Sequence, residues 1–350
     1  MQTRTKKVIQ YSLTFLLVVA SIWLAVKDVN IKLLFREITS VNTLWILLSV
    51  PVILMSHWVR AMRWKTMLIP ALKLEKVSTI DLFSSVMIGY MFNCILPRGG
   101  EFIRPYVYSR REKISFSSVF ATIVFERFFL DVVTLILVFI AGLLLFSHRL
   151  LSALPNLNVN MVVIPTILLF TVLLLCFYPP VFSWIIEKTV KPFSDRIYQR
   201  LHNIFEKFLI GFAVIKTPSR YLQLAIESII IWFFYTVPMY LMFYSFGFQS
   251  TYNLGFDDAI LLIIISGVGV TIAPTPGAFG VYHLLIQNAL TKLYGIPAES
   301  ALAYATVTHG INYFVQVLVG GLFALRERKY IANLSILDKI KQQEEELGLS

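Results

Sequence analysis

An apolar run beginning near Ile80 ends in Leu96-Pro97-Arg98-Gly99-Gly100-Glu101-Phe102-Ile103-Arg104, which sets proline, glycine and charge where a bilayer-spanning helix has to stay smooth. A second run, from Ile260 to Ala273, ends in Pro274-Thr275-Pro276-Gly277-Ala278-Phe279-Gly280. The two superpose without a gap: Asp81 falls on Asp258, Pro97 on Pro274, Gly100 on Gly277 and Phe102 on Phe279. The pattern predicts two broken, re-entrant helical hairpins whose tips frame a polar site inside the membrane.

A bilayer is the right solvent for this chain. Of its 350 residues 57% are hydrophobic and only 15% charged, with a mean hydropathy of +0.73, which is too apolar for a soluble globular protein. The net charge of +11 does not argue for nucleic acid, because the Lys and Arg sit in short loops between apolar runs, as topology signals and headgroup contacts. Cys94 and Cys176 both lie in apolar runs and imply no disulfide framework. The five histidines lack metal-ligand spacing, so neither a metal nor a cofactor is expected.

Taken in order, the first span is read at residues 8–26, a short interfacial piece at 30–40, and a second span at 44–58 that ends where His57, Trp58, Arg60, Arg63, Trp64 and Lys65 mark a headgroup boundary. After the first break, a long span at 115–146 embeds Glu126, Arg127 and Asp131, and a plain span follows at 159–177. Apolar residues recur at three- and four-residue steps between Phe193 and Phe212, predicting an amphipathic helix over about 186–215. Spans at 221–246 and 301–325 flank the second break, and a charged soluble tail begins at Glu327.

Charge chooses the topology. Eight full crossings would leave the loop from Ser183 to Arg220, with its seven cations, outside. Letting each broken segment return to its own side places every strongly basic stretch, and both termini, in the cytoplasm. The expected architecture is therefore an all-α integral membrane protein of the inner (plasma) membrane. It has six transmembrane helices and two opposed re-entrant hairpins, one in each of two inverted repeats over about 42–146 and 221–325. A transmembrane domain would occupy residues 1–328 and a short cytoplasmic tail 329–350. Inverted repeats with discontinuous helices meeting near the midplane are a transporter architecture.

The chemistry concentrates at the breaks. A charge at the bilayer centre costs about 2.5–3.5 kcal/mol even on the permissive insertion scale, so Arg98, Glu101 and Arg104 need a reason. Guanidinium forks beside the backbone N–H groups of Gly99 and Gly100 suit an anion such as phosphate; a shallow interfacial hairpin is the plainer account. Arg127 and Asp131, four apart, can pair on one helix face, while Glu126 points about 100° away. Glu126 is then either a partner of Arg98 or Arg104 or a titrating carboxylate. Pro274, Pro276, Gly277 and Gly280 would shape an open backbone turn. His309, Asn312 and Gln316 stripe the last span at helical steps, His309 reading more readily as packing than as a gate. No nucleophile-and-base motif, P-loop or zinc-protease signature is present in the sequence.

Pro97-Arg98-Gly99-Gly100-Glu101 with Arg104, Glu126-Arg127 with Asp131, and Pro274-Thr275-Pro276-Gly277 with Gly280 resemble the flippase-like membrane domain of lysyl-phosphatidylglycerol synthases. The resemblance runs from about Val8 to Arg328 and implies translocation without synthesis, since no aminoacyltransferase domain accompanies it. Ala278 stands where the family commonly has a second glycine, and His283 where it commonly has an acid. The expected function is flipping of an anionic phosphate-headgroup lipid, phospholipid or polyprenyl-phosphate, between leaflets. The rival is a membrane transferase or accessory enzyme acting on a lipid phosphate or glycolipid. The expected partner is a membrane lipid rather than a nucleic acid, with homo-oligomerisation left open.

Overall fold

The computed structural model describes residues 16–145, 179–199, 218–273 and 275–331, with scattered positions between 164 and 202. Among the described residues the fold is all-helical, without a strand. The helices are α1 (Leu16–Val26), α2 (Ile31–Thr39), α3 (Thr43–Leu72), α4 (Thr79–Ile95), α5 (Gly100–Glu112), α6 (Phe116–Phe125) and α7 (Val132–Leu145). After them come α8 (Pro179–Thr189), α9 (Pro218–Phe246), α10 (Phe248–Thr251), α11 (Phe256–Ile272), α12 (Val281–Tyr294), α13 (Ala298–Arg326) and α14 (Arg328–Ile331). Among the described residues three segments are long and apolar enough to cross a membrane: Thr43–Leu72, Arg220–Phe246 and Ala298–Arg326. Their outward faces carry exposed Leu47, Ile229 and Leu322, as a hydrocarbon solvent allows.

The two broken segments form matching hairpins. Helices α4 and α11 each hold 17 residues, about 25 Å at 1.5 Å per residue and short of a ~30 Å hydrocarbon core. Leu96 ends α4 in extended backbone, and the chain reverses through Arg98 at φ +58° into α5. The pair folds flat because Gly89 and Gly100 let the helix backbones touch; a Cβ on Gly100 would run into the Gly89 carbonyl oxygen. Asn93 Oδ1 accepts the Gly100 N–H at 2.8 Å and closes the turn. In the second hairpin Thr275 to Gly280 carries the reversal, with Pro276–Ala278 as a single 3₁₀ turn and Gly277 left-handed at φ +55°. Pro274 lies outside the described residues.

An acid marks the base of each hairpin. Asp81 pairs with Arg111 at 2.7 Å and Arg326 at 2.8 Å. Asp258 accepts from Tyr294 Oη at 2.9 Å and from the Gly255 N–H at 2.8 Å. Helix α3 packs along α9, and α13 lies against both α4 and α12. The two hairpin tips meet at the centre, where an added Cβ on Gly277 would sit 3.4 Å from Cys94 Cα.

Three expectations give way to the structure. Helix α3 does not end near Trp58 but runs unbroken to Leu72, burying Arg60, Arg63 and Trp64. Aromatics interleaved with cations describe a headgroup boundary and a buried ion-pair face equally well, and the partners of these arginines lie far along the chain. The expected amphipathic helix over 186–215 is interrupted: α8 stops at Thr189, and helix resumes only at 195. Pro192 lacks an N–H and turns its predecessor away from α geometry, and Ser194 Oγ then accepts from the Ile197 N–H at 3.3 Å. Most of the remainder, most of the span at 159–177 and the tail beyond Ile331 lie outside the described residues. Finally, Glu327 is not the start of a solvated tail. It is 1% exposed and pairs with Arg111.

Candidate functional site

The helix that follows the first hairpin carries three charged residues, and its backbone changes winding to place them. Glu126–Asp131 is a π segment between α6 and α7. Residues five apart lie about 140° apart around an α-helix, whereas an i→i+5 turn brings them nearly into line. The wider turn therefore sets Glu126 and Asp131 on one face, toward Arg60 and Arg63 of α3.

The result is a buried ionic core. Glu126, with no exposed surface, offers Oε1 to Arg60 Nε and Arg63 Nη2, each at 3.0 Å, and Oε2 to Arg104 Nη1 at 3.0 Å. Asp131 takes Arg63 at 2.5 Å, Arg127 at 3.0 Å and also Arg60. Arg60 Nη1 donates to Tyr235 Oη at 3.0 Å, and Tyr235 lies 3.2 Å from Tyr90 Oη. The Arg104 guanidinium stacks on Trp64, 3.9 Å from the ring centroid, and Trp64 Nε1 donates to Thr122 Oγ1 at 3.0 Å. Each ion here is tolerable only because the others are present; removing one partner of such a pair costs about 3–5 kcal/mol.

In front of this core lies a cavity of about 540 Å³ where the two hairpin tips meet. Arg98 and Glu101 line it from the first turn, Arg127 and Asp131 from the π segment, and Thr275, Gly277 and Ala278 from the second turn. Tyr90, Asn93 and Gln316 complete its polar wall, with Leu135 and Val270 among the apolar ones. Arg127 Nε is 3.6 Å from Glu101 Oε1, so that carboxylate is shared with an arginine already held by Asp131. Arg98 is exposed and forms no ion pair among the described residues. Five guanidinium groups (Arg60, Arg63, Arg98, Arg104, Arg127) face three carboxylates (Glu101, Glu126, Asp131), leaving two positive charges in excess at the cavity and its wall.

The residues singled out from sequence thus divide into two layers. Arg98, Glu101, Arg127, Asp131 and Gly277 border the cavity. Arg104 and Glu126 do not; they sit behind its wall, where the Arg104 guanidinium pairs with Glu126 through Nη1 and stacks on Trp64. Gly99 packs on Leu96, where a Cβ would come within 2.9 Å of that side chain. Gly280, at φ +80°, packs on α1, with an added Cβ 2.9 Å from the Val18 carbonyl oxygen. Pro276 opens the 3₁₀ turn. His309 Nε2 donates to the Gly277 carbonyl at 2.7 Å and so braces the second turn.

Sequence reasoning missed Arg60, Arg63, Tyr90 and Tyr235. A signal existed for the arginines: they are three apart, and the apolar pattern resumes after Lys65 through Met67, Leu68 and Ile69, which a headgroup boundary does not require. From the sequence alone Asn93 reads only as an interhelical hydrogen-bonding residue. No cluster suited to a metal ion occurs among the described residues.

A UPF0104 membrane protein from Pyrococcus horikoshii is 25% identical over 339 residues, covering 91% of this chain and 96% of the relative. No solved structure matches the chain. The family described as the lysylphosphatidylglycerol synthase TM region matches residues 11–320, and the chain belongs to that family.

Proposed function

We propose that this protein moves a lipid with an anionic phosphate headgroup from one membrane leaflet to the other. The observation that carries the reading is the 540 Å³ cavity between the two broken segments, lined by Arg98 and Arg127 with Glu101 and Asp131 and backed by Arg60, Arg63, Arg104 and Glu126, so that cavity and wall together hold two positive charges in excess. A phosphate brought there meets one free guanidinium fork and one braced by Asp131, which is the chemistry of strong, oriented anion binding. The acyl chains would stay in the hydrocarbon while only the headgroup crosses through protein. The topology that serves this function has six spans and two hairpins entering from opposite faces, with both termini cytoplasmic and the membrane being the plasma membrane. The equal lengths of α4 and α11 support relating the two halves as inverted repeats.

The experiment is a liposome assay with purified protein and a fluorescent phosphatidylglycerol. Exposure of inner-leaflet probe to an impermeant quencher, without change in lipid mass and abolished by Arg98→Ala, is the expected result. Unchanged quenching overturns the reading, and a changed lipid mass replaces it with an enzyme.

A further inference from the structure

One buried acid takes no part in the ionic core. Glu227, on α9, is 7% exposed. Its Oε1 accepts from Thr66 Oγ1 at 3.0 Å and from Gln223 Nε2 at 3.1 Å, and its Oε2 is buried without a hydrogen-bond partner. Unlike Glu126 and Asp131 it forms no ion pair among the described residues, and both groups that hold it are neutral. Gln223, exposed and one turn earlier, also donates to Thr66 Oγ1 at 3.0 Å and so joins the acid to the protein surface.

Arg63 links this acid to the cavity. Ser228, next to Glu227 in the chain, accepts from Arg63 Nη1 at 3.0 Å. Arg63 Nη2 reaches Glu126 at 3.0 Å and Asp131 at 2.5 Å, and Asp131 lines the cavity. Glu227 is therefore a fourth carboxylate beside the five guanidinium groups. Ionised, it lowers the excess at cavity and wall from two positive charges to one; neutral, it leaves two. The site can hold either form: the neutral carboxyl needs no counter-ion between an amide and a hydroxyl, and the ionised one has Arg63 close by.

Other charges on the helices packed against α9 are engaged or remote. On α3, Arg60 pairs with Glu126 and Asp131, and Lys65 donates to Thr79 Oγ1 at 3.1 Å. Helix α10 carries none. Asp257 and Asp258 of α11 lie beside the other half of α9, where Phe256 meets Phe233 and Tyr240. On α13, Glu299 accepts from the Asn30 N–H, His309 holds the Gly277 carbonyl and Arg326 pairs with Asp81. Arg220, on α9 itself, lies seven residues before Glu227.

We propose that Glu227 is a proton-binding site linked to the phosphate cavity, so that the anionic headgroup and a proton, taken from water at the Gln223 end of α9, bind together. The inference rests on the phosphate-lipid reading above and adds a coupled ion. A bound phosphate repels an ionised Glu227, and a protonated Glu227 leaves the arginines a stronger field, so each ligand raises the affinity of the other by the same factor. Headgroup affinity is then highest where Glu227 is protonated and falls as pH rises through its titration.

The test is equilibrium binding of phosphatidylglycerol to the full-length protein in phosphatidylcholine nanodiscs from about pH 5 to about pH 9, with proton uptake read from a pH dye in weak buffer. The phosphodiester itself does not titrate over this range. Affinity of the unsubstituted protein should fall about fivefold or more with rising pH, with protons taken up on binding near the midpoint. Glu227→Gln keeps the shape and fixes a neutral side chain; it should bind with the low-pH affinity throughout and take up no proton. Glu227→Asp should keep the dependence and move its midpoint, which decides the matter should the glutamine variant not fold. An affinity that is independent of pH or rises with it, a pH dependence that survives Glu227→Gln, or an unmoved midpoint in Glu227→Asp overturns the inference and leaves the phosphate site standing. Failure of phosphatidylglycerol to bind at any pH overturns the phosphate-lipid reading and this inference together.

Discussion

The two hairpin turns use one backbone device for two kinds of chemistry. Each follows a 17-residue helix, each reverses through left-handed backbone, and each ends at the same central cavity. The first turn brings charge, in Arg98 and Glu101, and is closed by a side chain, Asn93, holding the Gly100 N–H. The second brings no charge; it offers Thr275, Gly277 and Ala278, and its backbone carbonyl is held by His309. Backbone polar groups freed by each turn find side-chain partners: Asn93 takes the Gly100 N–H in the first, and His309 and Thr275 donate to the Gly277 and Phe279 carbonyls in the second. What differs is the task. On the proposed function the first turn supplies the field that attracts an anion, and the second shapes the far wall.

The same comparison separates charges that hold the fold from charges that face the cavity, and the largest predicted effect lies there. Glu126→Ala removes the shared partner of Arg60, Arg63 and Arg104. It should cost about 3–5 kcal/mol, read as loss of monodisperse protein in size-exclusion chromatography and a large fall in Tm in detergent. Arg98→Ala touches no ion pair and should leave Tm within the ~0.5 kcal/mol range of surface substitutions while abolishing lipid movement. If both variants behave alike, the division into two layers is wrong.

Backbone contact at the tips comes next. Gly100→Ala forces a Cβ into the Gly89 carbonyl and should destabilise by about 1–3 kcal/mol, as overpacking does. Gly277→Ala meets a φ of +55° and a Tyr313 ring atom at 3.0 Å, with an expected cost of about 1–2 kcal/mol. Thermal unfolding of both variants would rank the turns; a more costly Gly277 substitution would mean the second tip is the more tightly built. The smallest effect is at His309, where His309→Phe loses one hydrogen bond to Gly277 and should cost about 1 kcal/mol. Its signature is slower lipid movement at nearly unchanged Tm.

Much of this was legible in the sequence, and the reasons are specific. Proline and glycine clustered together disfavour a continuous helix, so both turns were readable at Pro97 and Pro276, and the gapless overlay of Asp81 on Asp258 foretold helices of equal length. Arg127 and Asp131 were readable as a pair from their spacing, and they lie 3.0 Å apart. Arg60 and Arg63 were not, because their partners sit more than sixty residues away and only the fold joins them. Nor was the π segment readable: in α geometry Glu126 points away from Asp131, and the arginines that both acids face are remote in sequence. The interruption at Pro192 was in plain view, but the apolar steps across it read as one helix. Glu327 misled for a similar reason, a tail-like context hiding its partner Arg111.

The central claim is that the two turns reach the cavity from opposite sides of the membrane. With Cys94 and Cys176 replaced by serine, single thiols from Gly99→Cys and Ala278→Cys can be labelled in intact and in inverted vesicles with a membrane-impermeant maleimide. The account predicts that the first reacts from the cytoplasmic face only and the second from the outer face only, each protected by added phosphatidylglycerol. Labelling of both from the same face would contradict it.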